Sequence, residues 1–265
     1  MAPLDRRGLA AALFDHHVVT VPKKECRFVH HLIGRSFAGT KTTNAEAAVH
    51  WIAGPHLSTL EDPERLAFSK FMMSFAVATM GPGSSILCTR GSNEDMAGLM
   101  LIQQCKSAPK DSIMDLFRVI GAFWAAFRRG EFPDTFAKGD AENKARKKAL
   151  SKGFDKRTNK FFKMLKQMHL ENANSPHIYI AILATDPQHQ RNGYGGKLMR
   201  AAVRVADDAG LPAYLETGDP NRKFYESFGF EVVKTYSMLD DTDADWPGLE
   251  MYHAMVRKAP GSVSS

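Results

Sequence analysis

Cysteine is scarce in this sequence: Cys26, Cys88 and Cys105 are the only three in 265 residues. They lie far apart, are odd in number and show no C-x-x-C spacing, which argues against a disulfide frame and against a zinc site written into the sequence. They read as reduced, buried thiols of a cytosol-like compartment, and a cytoplasmic location is expected. Long apolar runs are also lacking. Stretches such as 75–80 are far too short to cross a bilayer, so no membrane partner is expected. There are no internal repeats, and low complexity is confined to the tail 259–265, expected to be disordered. The remainder is ordinary for a globular chain, at 44% hydrophobic and 24% charged residues. Residues 1–16 carry Arg6 and Arg7 but also an early Asp5 and no serine-rich run, so they read as an N-terminal extension rather than a transit peptide.

The net charge of +6 is unevenly spread. Between Lys138 and Met168 eleven basic residues face three acidic ones, which leaves the rest of the chain slightly acidic. Such a stretch can serve nucleic acid or the phosphates of a nucleotide-like ligand. No aromatic residue interrupts Lys144–Lys152 to stack on bases, so the stretch is read as a solvated helix face rather than a nucleic-acid site.

The most informative segment runs from Ile178 to Gly196. Ile178–Thr185 is apolar and β-prone, and Asp186-Pro187 stops it, since proline has no ladder donor. Gln190-Arg191-Asn192-Gly193-Tyr194-Gly195-Gly196 follows, and then a helical pattern from Lys197. Strand, glycine-rich loop and helix in that order build an anion site, because the first helical N–H groups are free and carry the positive end of the dipole. A P-loop would need Ser or Thr after Lys197, where Leu198 stands. A dinucleotide fingerprint would need a third, later glycine. The pattern present is Pro-x-x-Gln-x-x-Gly-x-Gly, through Pro187, Gln190, Gly193 and Gly195.

Two further runs follow. Leu211–Thr217 reads as a strand, and Asn221-Arg-Lys-Phe-Tyr225-Glu-Ser-Phe-Gly-Phe230 as a short helix turning into another strand. Loop and downstream run together resemble the acyl-CoA loop and the N-x-x-F-Y-x-x-x-G-F signature of the GNAT N-acetyltransferase superfamily. The run Ala209-Gly-Leu-Pro-Ala-Tyr-Leu-Glu-Thr217 is similar to the branch of puromycin N-acetyltransferase. The specific likeness covers about 178–230. Over 17–103 it is topological only.

The resemblance implies one α/β GNAT-type domain over 17–258, with a mixed central β-sheet flanked by helices. It also implies a helical insertion before the central strand, and within it 129–153 is expected to be a charged loop or insertion. Acetyl-CoA is the implied co-substrate, a small-molecule amine the implied acceptor, and no metal is expected. Acetyl transfer requires a held thioester, a polarised carbonyl and proton movement off nitrogen and onto sulfur. By resemblance Leu183, Ala184 and Thr185 offer backbone groups to the pantetheine and acetyl carbonyl. Gln190, Arg191, Asn192, Gly193, Tyr194, Gly195 and Gly196 hold the pyrophosphate, and Asn221 contacts the CoA arm. Tyr225 is the implied general acid, since a phenol with an ordinary pKa near about 10 stays protonated at neutral pH. Many family members place a glutamate on the central strand, where this chain has Tyr179, Ile180 and Ala181. Glu216 on the next strand is the remaining base candidate, directly or through water, and a purely structural carboxylate stands beside that reading. The alternatives are a protein or peptide N-acetyltransferase and a CoA-binding module without catalysis.

Elsewhere, 17–22 reads as a first strand and 23–39 as a helix. Residues 44–52 and 62–80 read as further helices, and 85–90 with 96–103 as a hairpin. Ile113, Leu116, Phe117, Ile120, Phe123, Trp124 and Phe127 mark an apolar helix that is either core or acceptor pocket. The pairs His16-His17 and His30-His31 diverge in direction and make no metal site without a third ligand. The acidic loop 240–245 reads as a solvated turn or an attractor of amines, ahead of a last strand at 249–256.

Overall fold

The computed structural model describes residues 18–21, 25, 29–39, 49, 52, 62–63, 65–66, 68–70, 73, 84–106, 141–238 and 249–261. Its strands are β1 (Val18–Thr20), β2 (Ser84–Arg90), β3 (Met96–Cys105), β4 (His177–Thr185), β5 (Ala213–Gly218), β6 (Glu231–Met238) and β7 (Leu249–Arg257). Its helices of two turns or more are α1 (Val29–Ala38), α2 (Ala141–Asn172), α3 (Tyr194–Asp208) and α4 (Asp219–Glu226). The strands form one seven-stranded sheet in the order β1-β2-β3-β4-β5-β7-β6. The β4–β5 pairing is parallel and the others antiparallel, so the sheet is mixed, as expected.

Each described strand lies within a few residues of the segment its alternation or apolar run marks. Of the stretch expected as a charged loop or insertion over 129–153, the part from Ala141 onward is helical, and the residues before it lie outside the described ones. Ala, Glu, Lys and Arg dominate Ala141–Leu150, all strong helix formers. The single Gly153 costs about 1 kcal/mol, too little to break a helix of 32 residues. The apolar helix at 113–127 and the acidic loop at 240–245 lie outside the described residues, as do the extension 1–16 and the end of the tail.

Two cores sandwich the sheet. Val29, Leu32 and Ile33 of α1 join Phe161 and Met168 of α2 on one face. Leu198, Met199, Ala201, Ala202, Val205 and Ala206 of α3 fill the other, with Tyr225 and Phe230. Those α3 positions recur at helical spacing, which is why one stripe of it is buried.

The central strand changes sides partway. Ile102 of β3 pairs with Ile180 and Leu101 with Ile182, which leaves Ala181 as an extra, unpaired residue. This bulge shifts the side-chain alternation by one. Ile178 and Ile180 therefore pack toward α3, whereas Ile182 and Ala184 pack toward α1 and α2. Beyond the bulge β4 also parts from β5: only Ile178 pairs with Ala213 and Tyr179 with Tyr214. The result is a gap between two parallel strands, closed at the Tyr179–Tyr214 end and open toward Thr185.

Candidate active site

The open end of that gap leads into the glycine-rich loop. Asp186 ends β4 with its N–H bonded to the Ala97 carbonyl at 2.9 Å. Its buried carboxylate accepts from Gln188 N at 3.1 Å and from Arg35 Nε and Nη2 at 2.9 and 2.5 Å. Ser36 Oγ lies 2.9 Å from the carbonyls of both Leu32 and Thr185. Two consecutive residues of α1 thus pin the start of the loop. The chain then makes a 3-10 turn at Pro187–His189, and both Arg191 (φ 63°) and Gly193 (φ 78°) adopt left-handed backbone. Lys197 N donates to the Gly193 carbonyl at 3.0 Å and closes the first turn of α3, leaving the N–H groups before it free.

A cavity of about 620 Å³ opens over this loop. It gathers most of the residues expected to hold the cofactor: Leu183, Ala184, Thr185, Gln190, Arg191, Gly193, Tyr194, Gly195, Gly196 and Asn221, with Tyr225 beside them. Asn192 is not among the lining residues. Its side-chain amide donates to the carbonyls of His189 and Gln190, both at 3.2 Å, and so braces the loop from within. Ser36, Phe37, Gly218, Pro220 and Phe224 also line the cavity. Phe224 is the phenylalanine of the N-x-x-F-Y run, whereas no spacing in the sequence points to the other four, which arrive from α1 and from the β5–α4 junction.

Tyr225 is only 9% exposed and packs on the α3 side, its ring 6.4 Å from that of Phe230 and 5.2 Å from that of Phe224. The helix that carries it is anchored at its first residue. Asp219 Oδ1 is 2.6 Å from His253 Nε2, and His253 Nδ1 is 2.9 Å from Thr235 Oγ1, which ties α4 to β7 and β6.

Glu216 does not line the cavity with Tyr225. Leu215 faces the α3 core, so Tyr214 and Glu216 point to the opposite face of β5, toward Tyr179. There burial pushes the Glu216 carboxyl up to about 7, against the opposing pull of the Tyr179 and Tyr214 hydroxyls. Burial, and then the nearby carboxylate, hold both phenols above their ordinary range. Glu216 Oε1 and Tyr214 Oη are both sealed from solvent, so these two side chains face one another in a dry pocket. The β4–β5 gap is therefore flanked by a phenol from one face and a carboxylate from the other.

At the closed end of the gap a second group of side chains converges that the sequence does not announce. Cys105, His169 and His177 bring their ligand atoms within 4.8 Å of one another, all three buried. Burial lowers His169 to about 3, with His177 adding to the shift, lowers His177, and raises the Cys105 thiol to about 11. Cys105 and Cys88 are both buried free thiols, in line with expectation.

Strand order, the splayed parallel pair and the loop–helix cavity define the class: this is the GNAT acetyltransferase fold. The model of the acetyltransferase (GNAT) family matches residues 161–230. An uncharacterized N-acetyltransferase of Schizosaccharomyces pombe is 27% identical over 86 residues, 32% of this chain and 33% of that protein, so the match spans about a third of the curated relative's length. Among solved structures, arylalkylamine N-acetyltransferase 2 from Aedes aegypti superposes with a TM-score of 0.52 at 17% identity, covering 91% of this chain and 97% of that one. Histone acetyltransferase HPA2 and related acetyltransferase from Corynebacterium glutamicum gives a TM-score of 0.49 at 15% identity over 93% of this chain and 98% of that one. The family match runs from the last turns of α2 through the glycine-rich loop to Phe230. Among the described residues no helix is long and apolar enough to cross a membrane.

Proposed function

We propose that the chain transfers an acetyl group from acetyl-CoA to the primary amine of a small molecule, by direct attack in a ternary complex. The observation that carries this reading is the convergence of a left-handed glycine loop, a free helix N-terminus, Asn221 and Tyr225 on one cavity at the mouth of the β4–β5 gap. The residues suit a diphosphate. Left-handed residues in a turn form anion-binding concavities, and the Arg200 guanidinium reaches within 3.4 Å of where a side chain on Gly196 would begin.

Acetyl-CoA supplies an activated acyl group on a thiol leaving group. The N–H groups of Arg191–Gly196 hold the phosphates. A helix dipole contributes only about 0.3–1 kcal/mol at a surface, so direct hydrogen bonds supply most of the hold. The backbone of Leu183–Thr185, freed from pairing with β5, orients the acyl end. Tyr225 gives its phenolic proton to the departing sulfur from the α3 face. Glu216 takes a proton from the attacking nitrogen on the other face, directly or through water. A carboxyl poised near neutrality is matched to that task. The run Ala209–Thr217 supports a branch resembling puromycin N-acetyltransferase, and with it a small-molecule acceptor.

The test is release of free thiol from acetyl-CoA with a panel of arylamines, polyamines, aminonucleosides and N-terminal peptides. Turnover of at least one small amine, faster than any peptide, is expected. Peptide-only turnover would reassign the acceptor. Tight acetyl-CoA binding with no thiol release on any amine would leave a CoA-binding module.

A further inference from the structure

Cys105 is the last residue of β3 and His177 the first of β4, and they are direct cross-strand partners. His169 comes from the last turn of α2 and meets them from above the sheet. Its Nε2 is 2.7 Å from His177 Nε2. His177 Nδ1 is 2.7 Å from the Ser175 carbonyl, which can only accept, so Nδ1 carries the proton and the Nε2 lone pair points at the cluster. A ring N–H anchored on a backbone carbonyl is the arrangement that orients a metal-ligating imidazole. Beside these rings stands the Tyr214 phenol, its ring centroid 4.8 Å from that of His169. With Nδ1 of His177 protonated, His169 Nε2 donates to His177 Nε2, and the Cys105 thiol lies against this hydrogen-bonded pair.

We propose that Cys105, His169 and His177 form a buried site for one borderline-soft divalent cation, of which zinc is the type. One thiolate and two imidazoles are ligands zinc favours, and three protein ligands leave a fourth position for water or a neighbouring oxygen. Around a tetrahedral zinc, with bonds of about 2.0–2.3 Å, ligand atoms sit roughly 3.3–3.6 Å apart. The histidine nitrogens must therefore separate slightly and the sulfur must approach, a matter of side-chain rotation within the 4.8 Å cluster. The protons balance simply. Cys105 loses one to solvent, and His169 shifts its own from Nε2 to Nδ1, which frees the second lone pair. The ion would staple β3, β4 and α2 at the closed end of the gap, next to the Ile178–Ala213 pair where β4 and β5 first join.

The experiment uses the full chain purified without chelator, and its readout is metal rather than acetyl transfer. Elemental analysis should find about one zinc per chain. Cobalt(II) loading of the stripped protein should give a thiolate-to-cobalt charge-transfer band, which Cys105→Ala and His177→Gln abolish and Cys88→Ala retains. Should the cluster variants fail to fold, the wild-type chain still decides: zinc, but not magnesium, should raise its Tm after stripping. A wild-type protein that takes up no zinc, or a cobalt band that survives Cys105→Ala, overturns the proposal. Zinc uptake by a chain with no transferase activity would uphold it.

Discussion

In the mechanism proposed above Tyr225 and Glu216 divide one proton-transfer task between the two faces of a strand pair, and each role can be tested alone. Tyr225→Phe keeps the ring packed against Phe230 while removing its only proton. General acid catalysis contributes about 10²–10⁴-fold, so single-turnover rates should fall by about two decades with acetyl-CoA affinity nearly unchanged. Wild-type single-turnover rates would reduce Tyr225 to a packing residue. Burial pushes the Glu216 carboxyl up to about 7, and a base works ionised, so turnover should rise with pH through about 7. Glu216→Gln should remove that limb and most of the rate. Stability should run the other way. A carboxyl whose folded pKa is raised binds its proton more tightly when folded, so its contribution is full below about 4.5 and lost as pH rises through about 7. Urea melts of Glu216→Gln should show a flatter pH slope over that window. An unchanged rate profile would leave Glu216 a structural carboxylate. Gly193 is a third case. Nothing lies within 4 Å of a side chain added there, so the constraint is its φ of 78° and not space. Gly193→Val should weaken acetyl-CoA binding at least roughly tenfold by calorimetry, while Gly193→Asn, which visits that region, should lose less.

Among the elements, α1 holds the loop and β4 opens the gap. The Arg35 guanidinium is half-exposed, but its partner Asp186 is only 7% exposed, so the pair is not an ordinary surface bridge. Arg35→Ala leaves a buried carboxylate short of a partner at a cost of about 1–3 kcal/mol. A drop in Tm together with weaker acetyl-CoA binding is expected. A lower Tm with unchanged binding would show that α1 stabilises the fold without shaping the loop. The bulge at Ala181 belongs to the same scale. It turns Leu183 toward the cavity while its neighbours Ile182 and Ala184 return to the α1 face, an inversion that a continuous apolar run cannot reveal.

At the scale of the whole molecule, the basic excess falls over 138–168, most of it within the sequence of the long helix α2. A run of positive charge without interleaved stacking groups lacks what holds bases, so no tight nucleic-acid partner is expected. Micromolar, salt-sensitive DNA or RNA binding, lost on reversing Lys144, Arg146, Lys147 and Lys148, would contradict this.

The sequence by itself determined the strand–loop–helix unit from Ile178 to Asp208 and the Asn221–Phe230 run, because proline stops, glycine turns and apolar periodicity act over a few residues. Most of the residues lining the cavity follow from those two runs. Only the tertiary structure decided that 141–153 is helical, that Ser36 and Phe37 line the cavity over the loop, and that Glu216 and Tyr225 lie on opposite faces of the sheet. The same holds for the meeting of Cys105, His169 and His177. Their spacing matches no ligand pattern, since one ends a strand, one ends a helix and one starts the next strand. What brings them together is the register of β3 on β4 and the seating of α2 over the sheet, and both are set by long-range packing that no local run of residues encodes.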